Sequence, residues 1–225
     1  MTRQAAAAYS VGHSTHSIEA FVELLTETGI AAIADVRSTP YSRWRRQFNR
    51  DALRKSLAEH GVKYVFLGSE LGGRGTGGSA RDGHGRIQYR HIAESAVFRE
   101  GLSRVRAGSE RMRLALMCAE SEPLRCHRGI LISRLLVAQG TSVLHIHADG
   151  RLETHRDAEH RLVRLAGLHE PDLFRTEDQI LADAYERQEE RIAHVTPSIP
   201  AVEPAIRRCD PLCCRDRSAR SPRAS

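Results

Sequence analysis

Short apolar runs recur along the first two thirds of the chain and alternate with segments whose apolar residues fall on one helical face. The run at residues 30–36 is apolar at nearly every position, which is typical of a strand buried on both faces of a parallel sheet. Between the runs, apolar residues such as Ile18, Phe21 and Leu25 recur at helical spacing. The alternation predicts an α/β fold: a parallel β-sheet of about five strands with helices on both faces, in a single domain. The predicted strands cover residues 9–11, 30–36, 62–67, 113–118 and 142–147.

Capping residues and glycines set the expected ends of the helices. Ser17 and Asn49 stand where a side-chain oxygen can cap a helix N-terminus, and Gly29 and Gly140 stand where helices stop. The last predicted helix is highly charged, so we expect it to face solvent. Further helices are predicted over residues 88–106, with a break near Phe98, and over 127–139, 156–166 and 176–194.

Composition narrows the classes of partner. The 225 residues carry a net charge of +6, and all but two of the 34 basic residues are arginines. Such a bias often follows genome composition, so the arginine count alone does not indicate a nucleic-acid-binding protein. About half of the excess charge falls in residues 196–225, which leaves the rest only mildly basic. Nucleic acid is therefore compatible with the composition but is not required by it.

The cysteines and the lack of long apolar runs indicate the compartment. No run approaches the roughly 18 apolar residues that span a membrane, and MTRQAAAAYS at the start lacks the pattern of a signal peptide. We expect a cytoplasmic protein whose five cysteines are free, metal-bound or catalytic rather than paired in structural disulfides. The expected organisation is an α/β domain over residues 1–168, a helical extension over 169–195 and a disordered basic tail over 196–225.

Polar and ionisable residues stand just beyond the ends of the predicted strands. In an open α/β sheet, ligands bind outside the carboxyl ends of the strands, so these side chains are expected to meet at one edge. Such convergence predicts a composite pocket rather than a self-sufficient local motif. The candidate residues at these ends are His13, Ser14, Asp35, Arg37, Glu70, Cys118, Glu120 and His147.

The segment at residues 117–129, MCAESEPLRCHRG, concentrates candidate chemistry at one strand-to-helix crossing. Cys126 stands where a helix should begin, beside His127, and such a position favours a thiolate. Cys118 stands at a strand end, as in cysteine phosphatases, but their arginine six residues later is replaced here by Leu124. Arg125 and Arg128, with Arg37, suit a phosphate or carboxylate, because guanidinium groups bind these anions bidentately.

Four interpretations of this segment stay open. Cys118 or Cys126 can be a nucleophile, with His127 or His13 exchanging protons and Asp35, Glu70 or Glu120 as an orienting group or general base. The two cysteines and His127, with His147 or His13 from a neighbouring strand, can bind a metal, although the paired C-x-x-C spacing is absent. The two cysteines can instead form a redox pair, or one thiol can simply pack in the core. Anion recognition by the arginines is compatible with each of these.

Two loops add further expectations. Trp44, the only tryptophan, stands among Arg43, Arg45 and Arg46, so this loop can stack bases and neutralise phosphates in a nucleic acid. The alternative is that Trp44 and Phe48 dock on the domain and leave the arginines solvated. The glycine-rich stretch at residues 68–86 matches neither a P-loop nor a dinucleotide fingerprint, so no nucleotide cofactor is implied and the cofactor stays unknown.

Five segments together resemble the bacterial domain-of-unknown-function family number 488. In order along the chain these are VGHST at 11–15, ADVRSTPYSR at 34–43, QFN at 47–49, YVFLGSELGG at 64–73 and MCAESEPLRCHRG at 117–129. The resemblance implies a compact α/β domain and a shared cluster of polar residues, and it implies no activity.

The function that the sequence favours is an enzyme whose pocket of cysteine, histidine, arginine and carboxylate groups acts on an anionic substrate. That substrate is expected to bear phosphate, as a nucleotide or nucleic acid does. The alternatives are a non-catalytic nucleic-acid-binding module that uses Trp44 and Arg45, and a metal-binding protein. No membrane partner is expected, and the pattern does not determine an oligomeric state.

Overall fold

A computed structural model describes residues 7–75, 81–82, 85–168 and 174–193. Six strands form one sheet in the order β3-β2-β4-β1-β5-β6, and all neighbours are parallel except β5 and β6. The predicted α/β class is confirmed, with one more strand than expected. The strands are β1 (Ala7–Gly12), β2 (Ala32–Asp35), β3 (Lys63–Phe66), β4 (Leu114–Cys118), β5 (Ser142–Ile146) and β6 (Leu152–Thr154).

The helices cover both faces of this sheet. Ser17 caps the first of them, because its Oγ accepts a hydrogen bond from the backbone N–H of Ala20. Asn49 stands at the N-cap of the second, but its side chain instead accepts from the N–H of Ser42. The α-helices are α1 (Ile18–Glu27), α2 (Arg50–Glu59), α3 (Gly68–Leu71), α4 (Tyr89–Glu94), α5 (Ala96–Ser109), α6 (Arg134–Ala138), α7 (His155–Leu165) and α8 (Glu177–Ile192).

Alternation along each strand divides the core into two layers. On β4, Ala115 and Met117 pack with α1 and α2, whereas Leu116 and Cys118 pack on the other side with α5. Two apolar layers explain why the strands read as continuous apolar runs. The same alternation assigns Cys118, at the carboxyl end of the central strand β4, to the layer that contains Cys126.

The predicted helix over residues 127–139 is present in two parts. A π-helix covers Arg128–Ser133 and continues as α6. Within it, the hydroxyl of Ser133 donates to the backbone carbonyl of Arg128, five residues earlier, at 2.7 Å. Gly129 lies against the short 3-10 turn Pro123–Arg125, where a Cβ atom would lie 2.2 Å from the carbonyl oxygen of Pro123. The helix therefore begins in direct contact with the loop that precedes it.

Helix α8 packs on the domain instead of standing free in solvent. Ala184 and Tyr185 are buried in a third apolar cluster with Ala158 and Leu162 of α7, and Ile180 of α8 is buried as well. The expectation of a solvent-facing helix was therefore wrong for this face, while most charged residues of α8 lie on its outer side. Within the described residues, no helix is long and apolar enough to cross a membrane. The predicted disordered tail, residues 196–225, lies outside the described residues.

Candidate active site

The carboxyl end of β4 and the loop behind it build the centre of the site. The backbone N–H groups of His13 and Ser14 donate to the carbonyls of Cys118 and Ala119, so the loop after β1 holds the end of β4. The chain then passes through the 3-10 turn Pro123–Arg125 and returns at Cys126. The seven residues between the two cysteines thus form a loop that returns the chain, so that Cys126 lies beside Cys118.

Cys118, Cys126 and His127 form a buried triangle. One potential ligand atom from each, the two Sγ atoms and a ring nitrogen, all lie within 4.8 Å of one another. Nδ1 of His127 lies 3.6 Å from Sγ of Cys126 and 4.0 Å from Sγ of Cys118. The residues are 7%, 3% and 8% exposed, in the order Cys118, Cys126 and His127. Two sulfurs and an imidazole nitrogen are suitable ligands for a zinc-type metal ion.

The imidazole of His127 has a defined tautomer. Its Nε2 lies 3.0 Å from the backbone carbonyl oxygen of Val36, and a carbonyl can only accept. The proton therefore resides on Nε2, and the lone pair of Nδ1 points toward the two sulfurs. Nδ1 is thus available to accept a proton from a thiol or to bind a metal ion.

Only one of the two thiols is favoured as a thiolate. Burial raises the pKa of Cys126, but a hydrogen bond from Cys118, the adjacent His127 and the charge of Arg128 hold it well below the usual range for a thiol. The hydrogen bond to Cys126, together with burial, raises the pKa of Cys118 well above that range. The pair therefore carries at most one negative charge without a further cation, with Cys126 as the anionic partner.

The triangle opens onto a cavity of about 850 Å³. The loop after β2, the β4 loop, α4 and the end of α8 contribute its walls, and Gly73 lies against the ring of His127. Tyr89 is 4% exposed and lines the same cavity, and burial raises its pKa. The cavity is the place where a substrate would meet the sulfur–imidazole group.

Arginines dominate the charge of the cavity wall. Arg74, Arg125 and Arg191 line it, and none of them forms an ion pair with a described residue. Glu120 is the single carboxylate among the lining residues of the described chain. The wall is therefore cationic and suited to an anion.

Arg37 also lines the cavity, but its charge is already balanced. Its Nε and Nη2 groups donate to the two carboxylate oxygens of the fully buried Asp35 at 2.9 and 2.6 Å. Its Nη1 lies 3.4 Å from Nε2 of His13, whose Nδ1 faces the carbonyl oxygen of Ser14. Burial and the adjacent Arg37 lower the pKa of His13 to about 4, so this imidazole is neutral. Asp35 and His13 therefore lie behind Arg37 and orient it.

The remaining predicted residues lie outside the cavity wall. Glu70 forms an ion pair with Arg104 of α5. Ser14 occupies a left-handed turn, with φ of 44°, at the outer end of β1. Trp44 and Arg45 belong to the loop between β2 and α2, which begins at the cavity wall and then leaves it.

Arg128, predicted to bind substrate, is fully buried beneath the β4 loop. Its Nη1 and Nη2 groups donate to the backbone carbonyls of Glu120 and Ser121 at 2.5 and 2.7 Å. Its Nε donates to the hydroxyl of Ser10 at 3.4 Å. In this structure the guanidinium fixes the loop that carries Glu120, and it is not among the residues that line the cavity.

A buried chain of hydrogen bonds that sequence reasoning missed starts at Arg128. The hydroxyl of Tyr185 donates its proton to the Glu159 carboxylate, so its oxygen must accept a hydrogen bond from Nε2 of His155. By the same reasoning Nδ1 of His155 accepts from His145, and Nδ1 of His145 accepts from the hydroxyl of Ser10. All donors therefore run in one direction, and both histidines are neutral. The successive separations are 2.7 Å from Ser10 to His145, 2.9 Å from His145 to His155, 3.0 Å from His155 to Tyr185 and 2.8 Å from Tyr185 to Glu159.

Comparison with known proteins gives one match. A family model described as Domain of unknown function DUF488 matches residues 17–135, just over half of the chain. No curated protein and no solved structure matches the chain. The matched region includes β2, β4, the sulfur–imidazole triangle and most of the residues of the cavity wall.

Proposed function

Because the chain belongs to the family described as Domain of unknown function DUF488, whose description names no activity, we propose a function from the site itself. The protein is an enzyme that binds a phosphate-bearing anion in the cavity and acts on it at the Cys118–Cys126–His127 triangle. One observation carries the proposal: a sulfur–imidazole group and three arginines without a carboxylate partner open onto the same cavity, within the described part of the chain.

The arginines supply the binding energy. A guanidinium group donates two parallel hydrogen bonds to a phosphate, and bonds of this charge-assisted kind contribute about 1.5–3 kcal/mol each. Arg125 stands directly before Cys126, so an anion bound there lies beside the triangle. Arg74 approaches from the loop after α3 and Arg191 from α8, which suits a substrate with more than one phosphate.

The triangle and its neighbours supply the reacting groups. Nδ1 of His127 accepts a proton or holds a ligand, because Nε2 is fixed on Val36. Glu120 is exposed on the cavity wall and is the proposed acid–base group on the substrate side. Asp35 and His13 contribute by positioning Arg37.

Removing the Arg125 guanidinium should weaken anion binding without loss of fold. We expect Arg125→Ala to reduce the affinity for pyrophosphate about 10- to 100-fold, the loss of one charge-assisted contact. Isothermal titration of wild type and variant with pyrophosphate and with nucleoside monophosphates measures it. Arg54→Ala is the matched control, because Arg54 is exposed on α2, which packs on the opposite face of the sheet. Equal affinities of wild type and Arg125→Ala, or no binding at low salt, would contradict the proposal.

A second candidate function is favoured by the exposure of Trp44. The side chain is 90% exposed, whereas Phe48 is buried, so the expected docking of both aromatics was wrong for Trp44. The hydroxyl of Ser42 accepts hydrogen bonds from the N–H groups of Trp44 and Arg45, which stabilise this turn. An exposed indole beside Arg43 is a suitable surface on which a base of a single-stranded nucleic acid can stack.

Since Trp44 is the only tryptophan, its fluorescence reports directly on this second candidate. A short single-stranded oligonucleotide should quench it, with an affinity that falls as salt rises. Trp44→Phe should retain most of the binding, measured by anisotropy of a labelled strand, and Trp44→Ala should lose about 10-fold, because stacking contributes about 1–3 kcal/mol. Cys126→Ser should leave the affinity for the oligonucleotide unchanged. Absence of quenching at low salt would remove this candidate.

A further inference from the structure

We propose that Cys118, Cys126 and His127 bind one zinc-type divalent cation, with the fourth ligand position open to the cavity. The catalytic meaning of this metal rests on the proposed function, whereas its binding does not. Cys118 ends β4, Cys126 directly follows the 3-10 turn, and His127 directly precedes the π-helix. Two segments of the chain thus bring their sulfur and nitrogen atoms to one point, which a cysteine merely packed in the core does not require.

The sulfur–nitrogen separations are close to those of a tetrahedral metal site. Zinc–sulfur bonds of about 2.3 Å and a zinc–nitrogen bond of about 2.0–2.1 Å place sulfur and nitrogen about 3.6 Å apart, and two sulfurs about 3.8 Å apart, at the tetrahedral angle. Nδ1 of His127 lies 3.6 Å from one sulfur and 4.0 Å from the other. All three ligand atoms lie within 4.8 Å of one another, so binding of one ion requires the two sulfurs to approach each other by no more than about 1 Å.

The surroundings of His127 are those of a metal ligand. Metal-binding imidazoles almost always donate their other ring N–H to a carbonyl or carboxylate, which fixes the ring and its tautomer. Nε2 of His127 does this with Val36 at 3.0 Å. The lone pair of Nδ1 is consequently aimed at the two sulfurs before any ion arrives.

The number of ligands indicates a reactive site. Structural zinc sites are closed by four protein ligands, whereas catalytic sites use three and leave one position for water or substrate. Among the described residues, no fourth cysteine, histidine or carboxylate joins the cluster. All three ligands line the cavity whose wall carries Arg125 and Glu120. The open position would therefore face the same cavity as the guanidinium group of Arg125.

Cobalt binding tests the proposal directly. Cys209, Cys213 and Cys214 lie outside the described residues and are first replaced by serine in the full chain, so that they cannot bind the metal. The reduced protein is stripped with a chelator and titrated with Co²⁺. We expect one equivalent to bind, with thiolate-to-cobalt charge-transfer absorption in the near ultraviolet and the strong visible bands of tetrahedral Co²⁺. Zn²⁺ should then abolish the spectrum by displacement. A weak spectrum without charge transfer would overturn the proposal.

Variants assign the spectrum to the triangle. Cys118→Ser and Cys126→Ser should each lower the affinity by more than about 100-fold, since even the loss of a partner behind a ligand costs 10- to 100-fold. Gly73→Ala keeps all three ligand residues but puts a methyl group 2.6 Å from the ring of His127, so it should weaken binding by displacing the imidazole. Gly108→Ala is the matched control and should bind as wild type, because a Cβ atom there meets only the side chain of Leu114, at 3.6 Å, and Gly108 of α5 does not line the cavity. Unchanged affinity in both serine variants, or in Gly73→Ala if the serine variants do not fold, would overturn the assignment.

The two proposals fail separately. Cobalt spectra need no substrate, and pyrophosphate titration is possible with the metal-free protein. Pyrophosphate binding without a tetrahedral cobalt spectrum would overturn the metal site alone. A tetrahedral site in a protein that binds no phosphate-bearing anion would overturn the proposed function and leave the metal site standing.

Discussion

Acidification from neutral pH to about 4 should progressively destabilise the protein, because histidines buried as neutral groups must gain protons when it unfolds. Burial lowers the pKa of His155 from 6.5 to about 4, and burial beside His155 lowers that of His145 well below 6.5. The unfolded chain therefore binds more protons than the folded one below pH 6.5. The stability that His155 contributes is full above 6.5, falls as the pH drops and levels off near 4, and the contribution of His145 is lost in the same direction. The loss from His155 is about 3 kcal/mol.

The charged neighbours leave this sign unchanged. Glu159 faces His155 at 3.7 Å, and Glu153 raises the pKa of His155, but burial outweighs both carboxylates. Arg134 lowers the pKa of His155, and Arg128, His147 and Arg161 act in the same direction on His145. Since the typical stability of a domain is about 5–15 kcal/mol, two such groups can account for much of it.

Urea unfolding at a series of pH values measures the effect. His155→Gln is the informative variant, because a carboxamide can accept from His145 and donate to Tyr185 but does not titrate. Its stability should fall less steeply between pH 6.5 and 4 than that of the wild type. His60→Gln, at an exposed position, should follow the wild-type slope. A wild-type stability that is flat over this range would show that the histidines take up protons in the folded state.

Replacement of Arg128 by alanine should destabilise the fold by about 3–5 kcal/mol, the cost typical of disrupting a buried charged network. The side chain is fully buried, and its removal leaves the carbonyls of Glu120 and Ser121 and the hydroxyl of Ser10 without their donor. It also leaves a void in the space the side chain fills. The midpoint of denaturant unfolding checks this, and the loop that carries Glu120 should exchange its amide hydrogens faster.

Three comparisons identify the cause. Arg128→Met restores most of the volume without the donors, so it should remain clearly less stable than wild type. Arg128→Lys restores the charge but cannot bridge three separated acceptors, and we expect an intermediate value. Arg125→Ala, three residues away and exposed, should leave stability within about 0.5 kcal/mol of wild type. If Arg128→Met unfolded at the wild-type midpoint, the three hydrogen bonds would not contribute measurably to stability.

The sequence predicted the five parallel strands because their physical requirement is local. A strand buried on both faces must be apolar at successive positions, as Ala32–Asp35 nearly is and Leu114–Cys118 is throughout. The strand Leu152–Thr154 was missed because it has three residues, of which only Glu153 is buried. The π-helical turn at Arg128–Ser133 was missed for a different reason: its apolar pattern is also that of an α-helix.

The site was predictable to the extent that strand ends determine it. Polar residues after β1, β2 and β4 do meet at one edge, where Cys118, Arg37 and His13 lie close together. The sequence could not predict that Arg128 is buried whereas Arg125 is exposed. The two arginines are three residues apart, and the turn between them decides which one faces the cavity. Nor could it predict the chain from Ser10 to Tyr185, because those contacts join residues up to 135 positions apart.

Every hydrogen bond between Arg128 and Glu159 is donated in the same direction, so this chain does not conduct protons. Conduction of a proton along hydrogen bonds needs a first donor that releases one, and a guanidinium group in a protein does not. Every group between the two ends would also have to reverse its orientation in a close-packed interior. The guanidinium group of Arg128 and the carboxylate of Glu159 therefore keep their opposite charges, and no proton passes from one to the other along the chain. The chemistry proposed for the triangle therefore cannot exchange its protons along this chain.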